Sequence, residues 1–389
     1  MNSKIKYYPV GNGDMSLITL EDNTTILVDC NIRETAKGES DKTKFDAKAD
    51  LLNSIKKRDT NYFVDVFVLS HGDQDHCRGF KSNFYQGDPK KYTDKNRKAD
   101  EIIIDELWFS PMIAEESTND DEDVIQIEAE RRLKLHRDEH ADKDKPGNRI
   151  VIIGYDGPNI DYKDLDHLRR VPGNIVTNIN NKEQTKFSIF IHAPFKEQLK
   201  SADGDKNTTS IVFQARFKNK PTDTDFSCLA MFGGDSDHYS WEVILEKTKR
   251  KKNHETHKAL DWDLFLAPHH CSWSYFNDRP QSENPEPKAD SLEVLDFKRT
   301  NAIVIASCKK IIDDESNPPH YEAKEEYVKK VGKSKFLNTE TDDIVDEAPQ
   351  PIEFIISAKG PTRPPKGKVG NATNAAGGTG AAGIAIKQG

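Results

Sequence analysis

The residues best suited to chemistry crowd into one run, His71-Gly72-Asp73-Gln74-Asp75-His76, which sets four potential metal ligands within six residues. Imidazole and carboxylate together suit Zn2+, Mn2+ or Fe2+. The run follows a near-continuous apolar stretch over residues 61–70, with Phe63, Val64, Val66, Phe67, Val68 and Leu69, as expected of a strand covered on both faces. A rigid strand end followed by Gly72 lets side chains converge on one point. A charged, solvated loop would explain such a run if it stood alone. Three other segments share its pattern of apolar strand followed by ligand. Thr24-Thr25-Ile26-Leu27-Val28 leads into Asp29, Cys228-Leu229-Ala230-Met231-Phe232-Gly233-Gly234 into Asp235, and Leu264-Phe265-Leu266-Ala267-Pro268 into His269-His270. In layered α/β folds such strand ends line one edge of the sheets, where sites commonly lie.

The remaining chain reads as elements that position those ends. An opening strand through Tyr7 and Tyr8 turns at Gly11-Asn12-Gly13-Asp14 and returns over residues 15–20. Phe45, Leu51, Leu52 and Ile55 recur at helical spacing. Further strands are expected at 102–109, 149–154, 187–192, 210–217, 227–232, 264–267, 302–306 and 352–356. Helices are expected through Trp241, Ile244 and Leu245 and over 321–331. Residues 115–145, acidic and then mixed in charge, read as a solvated helix within an insertion at about 111–148. Residues 360–389, rich in Gly, Ala, Pro and Asn, read as a flexible tail.

The ordered set of Asp29, His71-x-Asp73-x-Asp75-His76, Gly234-Asp235 and His269-His270 resembles the metallo-β-lactamase superfamily. More narrowly, it resembles the lactamase-like domain of the competence protein ComEC and its free-standing relatives. Val10-Gly11-Asn12-Gly13-Asp14, Ser70-His71-Gly72-Asp73, Asn207-Thr208-Thr209-Ser210, Ala267-Pro268-His269-His270-Cys271-Ser272 and Asn317-Pro318-Pro319-His320 fall in that family's order. The resemblance implies an α/β fold, a four-layered αββα sandwich with insertions over residues 1–359. It implies two divalent metal ions, Zn2+ or Mn2+, with His71 and Asp73 helping to bind one and Asp75, His76 and one of His269 or His270 the other. Asp235 would bridge them, Asp29 would orient the ligands, and His320 would donate to a substrate oxygen or leaving group. The implied activity is metal-dependent hydrolysis by a metal-activated water, with Asp75, Asp29 and His320 in catalytic roles and DNA or another nucleotide substrate.

The sequence departs from the family in four respects. Asp73 stands where most members have His, which favours a harder ion such as Mn2+. The usual third-motif His is absent, leaving Asn207 or His192 in its place. Cys271 replaces the Gly after the paired histidines, and the channel and membrane parts of ComEC have no counterpart. Two other readings therefore stand beside the first: hydrolysis of a small ester, lactone or nucleotide, and a degenerate scaffold that binds a protein partner through the insertion or tail.

Composition narrows the setting. Hydrophobic residues make up 35% and charged residues 32% of 389, so loops and surface must be polar. Apolar runs fall far short of the roughly 20 residues that cross a bilayer. Together with an N-terminus lacking a signal-like stretch, this gives the expectation of a cytoplasmic protein without membrane association. Five scattered cysteines without a Cys-x-x-Cys pair argue against a disulfide framework, although Cys30, Cys77 and Cys271 lie beside the candidate ligands. A formal net charge of -9 gives no general affinity for nucleic acid, and only local runs such as Lys247, Lys249, Arg250, Lys251 and Lys252 offer a basic face.

Overall fold

Alternation of apolar side chains along β-branched runs builds two mixed sheets. The computed structural model describes residues 2–34, 44–115, 117–157, 160–201 and 206–364. In the first sheet β1 (Ser3–Tyr7), β2 (Ser16–Thr19) and β3 (Thr25–Val28) form an antiparallel meander. The short β4 (Lys56–Arg58) folds back on β5 (Asn61–Val68), which runs parallel to β3 with Val28 opposite Val68. β6 (Ile103–Phe109), β7 (Arg149–Ile153) and β8 (Arg169–Arg170) continue in parallel.

The second sheet repeats this grammar. β9 (Ile175–Val176) is followed by a small hairpin of β10 (Asn178–Ile179) and β11 (Lys182–Glu183), outside the main sheets. β12 (Phe187–Ala193), β13 (Val212–Phe217) and β14 (Cys228–Phe232) are antiparallel. β15 (Trp262–Leu266), β16 (Lys298–Ala306) and β17 (Phe336–Asn338) then run parallel. After the hairpin β18 (Ile344–Val345) and β19 (Ala348–Pro349), β20 (Ile352–Ser357) returns to the first sheet beside β1.

Period-two alternation sends side chains of each sheet in opposite directions. Ile5, Ile26, Val66 and Val68 meet Phe213, Ala230, Leu264 and Ile305 in a shared core between the sheets. Leu27, Val64 and Phe67 point the other way, onto Leu51, Phe80, Phe84, Ile125 and Leu133. Met231, Phe265 and Val304 pack outward on Trp241, Ile244 and Tyr327. The chain is thus a mixed α/β protein whose sheets each bury both faces.

Two expectations need correction. The helix Asp120–Arg137 is not a solvated one, because Ile125, Ala129 and Leu133 pack in the outer core of the first sheet. Its apolar stripe is narrow and is interrupted by Glu128 and Arg132, both buried, which disguise it in the sequence. Arg132 Nε donates to Glu128 at 2.7 Å, and its other nitrogens donate to the carbonyls of Arg149 and Ile104 at 2.8 and 2.9 Å. The tail also begins later than expected. Gly360–Thr362 forms β21 against β20, since main-chain pairing needs no apolar side chain. Residues 365–389 lie outside the described residues.

Candidate metal centre

Each candidate ligand leaves a strand end under a specific constraint. After β5, Leu69 and Ser70 continue the apolar run, and Ile211 N, just ahead of β13, donates to Ser70 O at 2.8 Å. This bond ties the two sheets together at the site. Gly72 then passes so close to the helix Asp120–Arg137 that a Cβ there would stand 1.9 Å from Glu122 Oε1. The short helix Gln74–Cys77, opened by the bond from His76 N to Asp73 O, carries Asp75 and His76.

Asp29 follows β3 in the left-handed region, φ 57°, and its amide donates to Val68 O. Its carboxylate accepts from Ser70 N at 2.7 Å, Ser70 Oγ at 2.5 Å and His76 Nδ1 at 2.9 Å. Beyond β14, a Cβ on Gly234 would stand 2.9 Å from Ser70 Oγ, so only glycine fits where the chain turns to present Asp235. Beyond β15, His269, His270 and Cys271 are all left-handed, φ 49°, 53° and 66°. Glycine would be the easier residue at the last of these positions, since L side chains rarely adopt that backbone.

These ends meet. His76 Nε2 lies 2.8 Å from Asp235 Oδ1, and His270 Nε2 lies 3.4 Å from the same oxygen and 3.3 Å from Asp75 Oδ2. Asp75, His76, Asp235 and His270 place donor atoms within 4.8 Å of one another, and these residues can hold a metal ion. Of the tandem histidines, His270 joins this group, whereas His269 Nε2 faces the other oxygen, Asp235 Oδ2, at 3.8 Å. His71 Nε2 pairs with Asp73 Oδ2 at 3.2 Å beside the group. Among the described residues, His71, Asp73 and His269 do not close a second compact group with Asp235, so the grouping expected for a first metal is only partly assembled.

Electrostatics and hydrogen bonding both fit a cation. Burial would raise the Asp235 carboxyl, but His76, His270 and His269 hold it well below the usual carboxylate range. Burial likewise works against charge on His270, yet Asp235, Asp14 and Asp75 push it up to about 10. His76 lies well above its ordinary value for the same reason, with Asp235 and Asp29 outweighing burial. Burial dominates at Asp29 and raises its carboxyl. Both ring nitrogens of His270, and Nε2 of His71, are buried without a hydrogen bond, although carboxylate oxygens lie 3.2–3.6 Å away. Buried polar atoms are seldom left so, and a cation among these imidazoles and carboxylates would satisfy them.

Other candidates lie elsewhere. His320 donates its amide to Cys271 O, faces Trp273 with ring centroids 5.9 Å apart and holds Nδ1 3.1 Å from Glu322. It is outside the ligand group. His192 lines a separate cleft, apart from the ligand group, while Asn207 O accepts from Ser210 N. All five cysteines are buried and free, and burial pushes the thiols of Cys30, Cys77 and Cys271 up, away from thiolate ligation.

Two residues escaped the sequence reading. Asp14 places Oδ1 3.6 Å from His270 Nδ1, matching the position of Asp29 behind His76. Its signal lay in the run Val10-Gly11-Asn12-Gly13-Asp14, which we read as a turn and as a segment in family order, without a role for the Asp14 side chain. Glu122 is buried behind Gly72 with Lys206 at 3.6 Å, and no local pattern marks it. No family model matches the chain, and no curated protein matches it either. Among the described residues, no helix is long and apolar enough to cross a membrane.

Proposed function

We propose that the chain is a metal-dependent hydrolase of metallo-β-lactamase type, acting as a phosphodiesterase on DNA or another nucleotide substrate. The observation that carries this reading is the meeting of Asp75 and His76, from the first sheet, with Asp235 and His270, from the second. The helix-backed sheets and the shared core between them support a four-layered αββα sandwich. When bound, two divalent cations, Zn2+ or Mn2+, supply a water of lowered pKa and stabilise charge on the attacked phosphorus.

The chain's own residues divide the remaining work. Asp235 presents Oδ1 to His76 and His270 and Oδ2 to His269, so it is the ligand able to serve both halves of the centre. Asp29 fixes the tautomer and tilt of His76 from behind. Asp14 holds the corresponding position at His270. Asp75, with its side chain 30% exposed, marks the solvent side from which substrate arrives. His320, beside Glu322 and Trp273, remains the candidate donor to a substrate oxygen or leaving group.

The test is incubation of the full chain with single-stranded, double-stranded and cyclic nucleotide substrates under Zn2+ and Mn2+, beside Asp75→Ala. Hydrolysis by the wild type that drops about a hundredfold or more in the variant supports the reading. Equal behaviour of the two chains on every substrate overturns it. If the wild type also retains no transition metal after purification, the degenerate scaffold takes its place.

A further inference from the structure

The helix that begins beside Asp235 ends at a second cleft. His238–Arg250 is capped by Asp237, and its last turn carries Lys247, Lys249 and Arg250. At about 1.5 Å of rise per residue its two ends stand roughly 20 Å apart. At the far end, a cleft of about 360 Å³ is lined by Lys196, Lys247, Arg250 and Lys251, with Tyr155, Phe195 and His192. The metal centre uses none of these residues.

Charge, ring faces and an unsatisfied imidazole coincide there. Glu197 is the carboxylate in the lining and is bound to Lys247 at 2.6 Å. Arg250 and Lys251 are exposed, and Arg250 lies 3.9 Å from Glu246. The lining is therefore positive in a chain whose formal net charge is -9. Tyr155 and Phe195 are half-buried, and Lys196 Nζ lies 4.8 Å from the Tyr155 ring centroid. His192 is 1% exposed, and neither ring nitrogen closes a hydrogen bond of acceptable geometry, although the Ala259 main chain is near. Burial and the neighbouring Arg216 lower its pKa to about 3, so it is a neutral ring with one donor and one acceptor.

We propose that this cleft binds a nucleotide unit, its phosphate on Lys247, Arg250 and Lys251 and its base against Tyr155 or Phe195. Cations alone would take any anion. Ring faces beside them select an anion that carries an aromatic ring, and the volume suits one such unit. The ligand class follows from this lining. Its use as a grip on a polynucleotide, several nucleotides from the metal centre, rests on the phosphodiesterase reading.

The experiment is fluorescence anisotropy on the full chain with a labelled single-stranded oligonucleotide, with AMP as competitor, before and after metal chelation. Arg250→Glu/Lys251→Glu is compared with the wild type, because both positions are exposed and the fold can be checked by thermal unfolding. The proposal expects binding that weakens about tenfold or more in the double variant, a difference that persists after chelation. Competition by AMP identifies a free nucleotide as sufficient; charge-sensitive oligonucleotide binding without that competition identifies the strand as the source. Equal affinity of the wild type and the double variant, or no binding at all, overturns the proposal. Charge-sensitive binding in a chain that hydrolyses nothing leaves the cleft standing and removes the phosphodiesterase reading alone.

Discussion

The contact between Gly72 and Glu122 offers a strict test of how the ligand loop is held. A Cβ on Gly72 would lie 1.9 Å from Glu122 Oε1 and 2.7 Å from its Cδ. Non-bonded carbon and oxygen stay about 3 Å or more apart, so one side must move by ~1 Å. Glu122 is fully buried, and its Oε2 accepts from Thr118 N at 2.8 Å and Thr118 Oγ1 at 3.1 Å. Expelling it breaks bonds to a charged acceptor, at a cost of about 1.5–3 kcal/mol. If the loop yields instead, His71 and Asp73 shift by a similar distance, and a displacement of that size costs on the order of a hundredfold in rate. Gly72→Ala should therefore lose stability, metal content or both. Glu122→Ala removes the obstacle, so Gly72→Ala/Glu122→Ala should be no worse than Glu122→Ala alone, a coupling of about 1.5–3 kcal/mol. Urea unfolding and metal analysis of the four chains decide the matter. Effects that add to within about 0.5 kcal/mol, with metal content unchanged, would refute the reasoning.

Three further outcomes are expected. Asp29→Asn should lower metal affinity about 10- to 100-fold in calorimetric titration by freeing His76 Nδ1, and unchanged affinity would remove Asp29 from its orienting role. Arg132→Met leaves Glu128 with Arg131 and the Gly87 amide and removes the donors to Ile104 O and Arg149 O, so chemical unfolding should report a loss near 3 kcal/mol; a loss below about 1 kcal/mol would contradict the buried role. His192 has a folded pKa of about 3, below its ordinary value, so as pH falls the unfolded chain takes up a proton that the folded chain refuses. Stability conferred by the neutral ring is present at neutral pH and drains away as pH falls towards 3. His192→Phe should thus gain on the wild type by roughly 2.5 kcal/mol between pH 6 and pH 4 in urea unfolding, and a constant difference would exclude a buried neutral imidazole.

What the sequence revealed depended on whether the signal was local. The strands β3, β5, β14 and β15 were legible because apolar β-branched runs ended at ligand-type residues, and the density of the run from His71 to His76 marked the site. The choice between His269 and His270 was not legible. It depends on left-handed backbone at both residues, which no spacing rule encodes. Asp14 was hidden by its place in a turn, where Gly-Asp is ordinary. Glu122 and the helix that bears it were missed because eighteen residues dense in charge suggest solvent, while the decisive stripe is only Ile125, Ala129 and Leu133 with a buried Glu128–Arg132 pair. Such pairing is a tertiary fact, set by carbonyls of β6 and by the start of β7.

The strain at the tandem histidines explains why the site needs both sheets. Left-handed backbone costs an ordinary residue about 1–2 kcal/mol, so His269, His270 and Cys271 in succession hold several kcal/mol that the rest of the fold must outweigh. Three main-chain bonds hold the segment: His269 N to Gly234 O, Ser272 N to His269 O, and His320 N to Cys271 O. The first reaches the loop that carries Asp235, so the strained turn and its carboxylate partner are positioned as one unit. That unit delivers adjacent histidines to opposite oxygens of the same Asp235, His270 to Oδ1 and His269 to Oδ2. Relaxing the turn to right-handed backbone would lower its own energy but swing at least one imidazole away from Asp235. The retained strain is therefore the conformational cost of presenting two imidazoles from consecutive residues to one carboxylate.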